Sequence, residues 1–274
     1  MKTRLITAFI GAILFLTVLF SPPIVFQAAV IIVAGIATYE AYSVTGIIKK
    51  VPLAITGCFG VLWCALLGCM HLNSLAIPMD ICLLCITLHA ATLLALMVFC
   101  HKDIKLHDAA TGFFMSVFIG LFYSFLIPLR EDALGIYLVL ILFAGTWCGD
   151  GGAYFIGIRF GKTKLAPTLS PKKTVEGAFG GLLGSVIGML IIAFITGVIL
   201  KIKINFVGML LTGVGCAVLG PISDIATSAI KREFGVKDFG NLFPGHGGVL
   251  DRFDSVLLTA PFVYYMNEWF TLVG

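Results

Sequence analysis

The sequence predicts an all-α, polytopic integral membrane protein with about nine transmembrane helices, in a range of seven to nine, and a cytoplasmic N-terminus. Two observations carry that prediction. Of 274 residues, 59% are hydrophobic and only 12% charged, and the mean hydropathy is +1.08, far from the balance of a water-soluble domain. The apolar residues also fall into runs of roughly 20, the length that crosses a bilayer as a helix.

Nine such runs are bounded by polar residues or by Pro and Gly: Leu5–Phe20, Ile24–Ile48, Val51–Met70, Ile77–Cys100, Ala109–Leu129, Ala133–Ile158, Ala178–Leu200, Ile204–Ile222 and Ser255–Val273. Lys2 and Arg4 before the first run resemble the start of a secretory signal. Ser21, Pro22 and Pro23 then replace a small-residue cleavage site and a second run begins at once, so the segment reads as retained. Residues 1–130 read as a scaffold of about five helices, and 131–274 as a catalytic region.

With the N-terminus inside, fifteen of the eighteen Lys and Arg residues fall on the cytoplasmic side, and only Arg130, Lys201 and Lys203 outside. That asymmetry sets the orientation and places the two long polar segments, Arg159–Gly177 and Ser223–Asp254, in the cytoplasm. The eight cysteines lie mostly within apolar runs and read as free thiols. Cys82 and Cys85 form a CxxC without a second pair, so packing is expected there rather than zinc.

Gly177 and Gly181, with Gly180, Gly184 and Gly188 on a second row, recur at intervals of four, a pattern that brings helix backbones close in lipid. Gly149, Gly151 and Gly152 do not form a dinucleotide loop, because no strand precedes them. Asp150 falls about eight residues, or about 12 Å, inside the end of its run, where a carboxylate is costly unless it is paired or lines a polar cavity. In the following polar segment, Ser170 before Pro171 and Thr174 before Val175 each read as a helix N-cap. Lys162, Lys164, Lys172 and Lys173 surround them, which suits phosphate groups or anionic lipid.

A helix over Asp224–Arg232 puts Asp224, Ser228 and Lys231 on one face. Beyond the turn residues 244–248, Asp251 and Asp254 are spaced i, i+3 and share another. Such carboxylates are the ligands that a divalent cation of the magnesium type prefers.

From Ser228 to Asp254 the chain resembles the signature of the phosphatidate cytidylyltransferases, or CDP-diacylglycerol synthases, through Ser228, Lys231, Arg232, Lys237, Asp238, Gly240, Phe243, Pro244, His246, Gly247, Gly248, Asp251, Arg252 and Asp254. DGGAYFIGIRFG from Asp150 and SPKKTVEG from Ser170 resemble the other blocks of that family. One departure is Ser223, where the family usually has Gly. The resemblance implies transfer of CMP from CTP to phosphatidic acid, releasing pyrophosphate, at a multi-pass inner-membrane enzyme with its site facing the cytoplasm and no nucleic-acid partner. It also implies magnesium on Asp224 and Asp251, with Asp254 and Asp150 as additional or supporting ligands. Lys231, Arg232, Lys237 and Arg252 would neutralise phosphates, and His246 would donate to one. Ser228 and Asp238 would contact substrate, Gly245, Gly247 and Gly248 would admit it to the backbone, and Lys172 and Lys173 would hold the triphosphate or the lipid phosphate. A second cation and a homodimer are compatible with this reading. The alternatives are a CTP-dependent lipid kinase, distinguished by its products, and a transporter, disfavoured because no inverted repeat is visible.

Overall fold

The computed structural model describes residues 2–69, 79–243, 245 and 247–274; Pro244 and His246 of the signature, and Asn73 between the third and fourth apolar runs of the sequence, lie outside them. Among the described residues, seven helical stretches are long and apolar enough to cross a membrane, the lower end of the expected range. The first expected span keeps only a short apolar stretch, Phe9–Phe20. The ninth, a helix over Leu250–Phe270, opens on Asp251, Arg252 and Asp254 and closes on Asn267 and Glu268, which dilute its apolar character.

The chain divides into two compact units, 1–128 with 234–253, and 129–233 with 254–274. The first contains α1 (Lys2–Phe20), α2 (Pro23–Val44), a 3-10 turn (Ile47–Lys49), α3 (Val51–Ile55), α4 (Gly57–Cys69), α5 (Met79–Phe99) and α6 (Leu106–Ser124). α2, α4 and α6 form its core. Small residues make that packing possible: a Cβ at Gly60 would press on the Ser116 backbone at 3.1 Å, and one at Gly120 would collide with the Gly60 carbonyl. In lipid, close packing and polar contacts of this kind hold helices together, since there is no hydrophobic drive between them. Tyr42 supplies such a contact, donating to the Gly112 carbonyl at 3.0 Å and lying 2.6 Å from Ser116 Oγ.

A short helix α7 (Leu126–Glu131) leads into the second unit, which holds α8 (Gly135–Phe160), a hairpin of β1 (Lys164–Ala166) and β2 (Ser170–Thr174), α9 (Val175–Phe194) with a π-helical turn (Ile195–Ile199), α10 (Phe206–Glu233) and most of α11 (Leu250–Phe270). The glycine rows behave as their spacing predicts. A Cβ at Gly180 would reach 2.6 Å from the Gly152 carbonyl, and one at Gly184 would strike the Cys148 carbonyl, so α8 and α9 touch backbone to backbone. Gly149, Gly151 and Gly152 are within continuous α-helix, as expected of residues that form no nucleotide loop. Cys58, Cys85, Cys100, Cys148 and Cys216 are free thiols.

Two expectations require correction. Ser170 caps no helix, because Ser170–Thr174 pairs antiparallel with β1, Ala166 against Ser170 and Lys164 against Thr174; strand hydrogen bonds take the backbone that a cap would have used. Only Thr174 caps, its hydroxyl accepting from Gly177 N at 3.1 Å. The eighth run does not end at Ile222 either: α10 continues through Pro221 to Glu233.

Candidate active site

In the second unit the site grows from α10. Asp224, Ser228 and Lys231 share the expected face, and Ser228 Oγ lies 3.4 Å from Asp224 Oδ1. The hairpin brings Lys173 to the same carboxylate, with Nζ 2.7 Å from Asp224 Oδ2 and donating to the Pro221 carbonyl at 3.2 Å. Side chains alternate along a strand, so Lys172 points the other way and is exposed. The structure therefore brings Lys173, and not Lys172, into the cluster.

Asp150 enters from α8. It lies ten residues from the end of that helix and Asp224 nine from the end of α10, or about 15 and 14 Å at 1.5 Å per residue. Asp150 stands in the field of both Asp224 and Lys173. It lines a small cleft with Gly145, Thr146, Gly149, Gly220 and Pro221, and the nearby Lys173 ammonium offsets part of the cost of a carboxylate inside the helix.

Asp254, in the first turns of α11, completes the group. It is 9% exposed, interacts with Asp224, Asp150 and Lys231, and accepts from Ser255 N at 2.8 Å. Ser223, the residue that departs from the family pattern, is fully buried and donates to the Asp254 carbonyl at 2.5 Å. The hydroxyl is accommodated by a bond that a glycine could not make.

Three carboxylates thus face two ammonium groups, Lys173 and Lys231. Charge of that sign in a partly dehydrated setting attracts a further cation. Among the described residues, no group of three or more His, Cys, Asp or Glu side chains stands ready as a metal cage. Magnesium does not require one, since it keeps several waters and binds through one or two carboxylates together with substrate phosphates. The donor set fits that mode.

The remaining signature residues belong to the first unit. Lys237, Asp238 and Arg252 are exposed. Gly245 and Gly247 have φ of 77° and 87°, which a side chain rarely adopts, and Phe243 N donates to the Gly247 carbonyl at 2.9 Å. Asp251 is 7% exposed, and its Oδ2 accepts from Phe239 N at 2.7 Å and from Gly248 N at 3.0 Å. This aspartate holds its own loop together, a role that spacing alone does not reveal. Arg232, in the second unit, is exposed.

A cytidylyltransferase family model matches residues 2–270. This chain belongs to the cytidylyltransferase family. It is 33% identical to a phosphatidate cytidylyltransferase of Bacillus subtilis, with 99% of each chain covered, and 33% identical to one of Staphylococcus haemolyticus over 95% of this chain and 96% of that one. A phosphatidate cytidylyltransferase of Aquifex aeolicus is 39% identical over 61% of this chain and 60% of its own. As a member of that family the chain is a nucleotidyltransferase, which accords with a site that gathers fixed cations and carboxylates.

Two glutamates escaped the sequence reading. Glu176 accepts from Lys162 N at 3.0 Å and from Thr163 N at 3.2 Å, bracing the turn that aims the lysine hairpin. Glu40, on α2, accepts from Val249 N and Leu250 N, each at 2.9 Å. A carboxylate inside an apolar run was the available signal for Glu40, as it was for Asp150.

Proposed function

We propose that the chain transfers CMP from CTP to phosphatidic acid, giving CDP-diacylglycerol and pyrophosphate, at the cytoplasmic face of the inner membrane. The observation that carries the reading is the Lys173–Asp224–Ser228 cluster, in a chain whose full-length relatives bear the phosphatidate cytidylyltransferase name. A phosphate oxygen of phosphatidic acid attacks the α-phosphorus of CTP; the new P–O bond forms as the bond to the β-phosphate oxygen breaks, and pyrophosphate leaves with that electron pair. Because the second pKa of a phosphomonoester is about 6, the nucleophile is largely ionised at neutral pH and needs no strong base.

The protein's task is to bring two anions together and to stabilise the departing charge. Lys173 and Lys231 are held in place for it by Asp224 and its neighbours, and Arg232, Lys237 and Arg252 supply exposed positive charge for the phosphates. Asp224, Asp150, Asp254 and Asp251 are the residues that would hold magnesium, which when bound neutralises charge on the phosphates. Gly245, Gly247 and Gly248 would admit the substrate to the backbone, and Lys172 and Asp238 would contact it.

The test is an assay of the purified protein in detergent with CTP labelled at the α-phosphate, phosphatidic acid and magnesium. Label passing into lipid together with free pyrophosphate is expected. Label left in soluble CDP beside a newly phosphorylated lipid would overturn the reading in favour of a lipid kinase.

A further inference from the structure

Glu40 lies four residues before the end of α2 and is 5% exposed. A carboxylate buried in an apolar helix persists when its oxygens are satisfied, and here both are: Oε1 accepts from Val249 N and Oε2 from Leu250 N. Those two amides sit at the N-terminal end of α11, where the helix itself offers no partner. Glu40 therefore caps α11 from 209 positions away in sequence, and its negative charge faces the positive end of the helix.

The loop before α11 is moulded around the same carboxylate. A Cβ at Gly240 or at Gly248 would collide with its oxygens. Asp251 stands beside it, close enough for the two negative charges to interact, with Oδ2 held by Phe239 N and Gly248 N. Glu40 fixes Val249 and Leu250 while Asp251 fixes Phe239 and Gly248, so each carboxylate orders the backbone on which the other depends.

We infer that Glu40 is a positioning residue of the transferase: without touching substrate, it sets the start of α11 and the backbone at Gly240 and Gly248, and so the direction in which Asp251 is presented. The inference rests on the function proposed above, which gives Asp251 its part in the reaction.

The test is Glu40→Gln, in which one oxygen becomes an NH2 group that opposes a backbone N–H. Amide hydrogen exchange, measured on the whole protein in detergent, should quicken by tenfold or more in peptides covering 239–251 and stay unchanged in α8 and α9. That readout stands whether or not the wild-type protein makes the liponucleotide, so a failed clamp and a failed functional reading are told apart. In turnover, kcat should fall by tenfold or more with KM for CTP within about twofold, because a misdirected carboxylate weakens transition-state stabilisation more than ground-state binding. Gly240→Ala keeps the charge and pushes a methyl group at it; the same exchange and kinetic pattern is expected, and it serves if Glu40→Gln does not fold. Unchanged exchange over 239–251, or a kcat loss that merely follows the fraction of unfolded protein in both variants, overturns the inference.

Discussion

The Lys173 ammonium rests 2.7 Å from Asp224 Oδ2, so a cation already stands at the carboxylate proposed to hold magnesium. The two positive species compete for one oxygen. Binding magnesium there means releasing the ammonium, which is then free to meet a phosphate. Lys173→Met removes the competitor along with the phosphate contact. The magnesium concentration for half-maximal activity should fall several-fold, while saturated turnover drops by about tenfold or more. A magnesium titration of purified wild type and variant checks this; an unchanged half-saturation point would mean that the ammonium and the metal do not share Asp224.

Asp224→Asn should lower turnover by on the order of a hundredfold, with the protein still folded, because the charge matters most as pyrophosphate departs. Asp251 separates charge from architecture. Asn at that position keeps an oxygen for the Phe239 and Gly248 amides, so it should cost turnover and little stability. Ala leaves both amides without their acceptor, at about 1–3 kcal/mol each, and should also lower the melting temperature in detergent. Equal melting temperatures for the two Asp251 variants would count against its role in the loop.

These relationships were unevenly legible in the sequence. The Asp224–Ser228–Lys231 face and the Gly180–Gly184–Gly188 row follow from helical periodicity, a local property that residue spacing displays directly. The Ser170 strand was missed because a Ser-Pro pair satisfies helix-cap rules, and only the hairpin partner, Lys164–Ala166, decides otherwise. α10 ran past its expected end because Pro221 and the polar residues after it look like a boundary, whereas Ser223 instead bonds to α11 at Asp254. Glu40 and Val249 are joined across most of the chain, and no spacing rule reaches that far. Asp251 looked like a ligand and nothing more, since loop hydrogen bonds to a carboxylate leave no trace in composition.

Orientation can be tested at positions that the structure makes suitable. Lys172 and Lys237 are exposed, as is Lys203 in the connection before α10. In a background with the eight native cysteines replaced, cysteine at Lys172 or Lys237 should be shielded from an impermeant thiol reagent in intact cells, and cysteine at Lys203 should react. The reverse pattern would invert the proposed topology and remove the site from cytosolic CTP. Gly240 is unsuitable for this probe, because a side chain there meets Glu40.

His89 on α5 offers a stability test away from the site. It is fully buried, stacked on Phe59 with centroids 4.5 Å apart and tilted against Phe113 at 5.0 Å, and neither ring nitrogen has a hydrogen-bond partner among the described residues. Burying such polar atoms without a partner costs about 1–3 kcal/mol, so His89→Phe should raise the melting temperature in detergent and leave turnover unchanged. A lower melting temperature would show that the imidazole nitrogens have a use.

The unbroken course of α10 has a consequence for how the protein meets its solvent. Its 28 residues span about 42 Å at 1.5 Å per residue, against a hydrocarbon layer of about 30 Å. Set upright with Phe206 at one edge of that layer, the helix would carry its last eight or so residues beyond the other edge and put Asp224 near that border, whereas tilt or a bend at Pro221 would draw them in. On the proposed function, the bilayer would then act as a gauge for the reaction, holding the carboxylate level with a lipid phosphate that cannot leave the surface. In host membranes of steadily longer acyl chains, turnover should pass through a maximum where that border and Asp224 coincide.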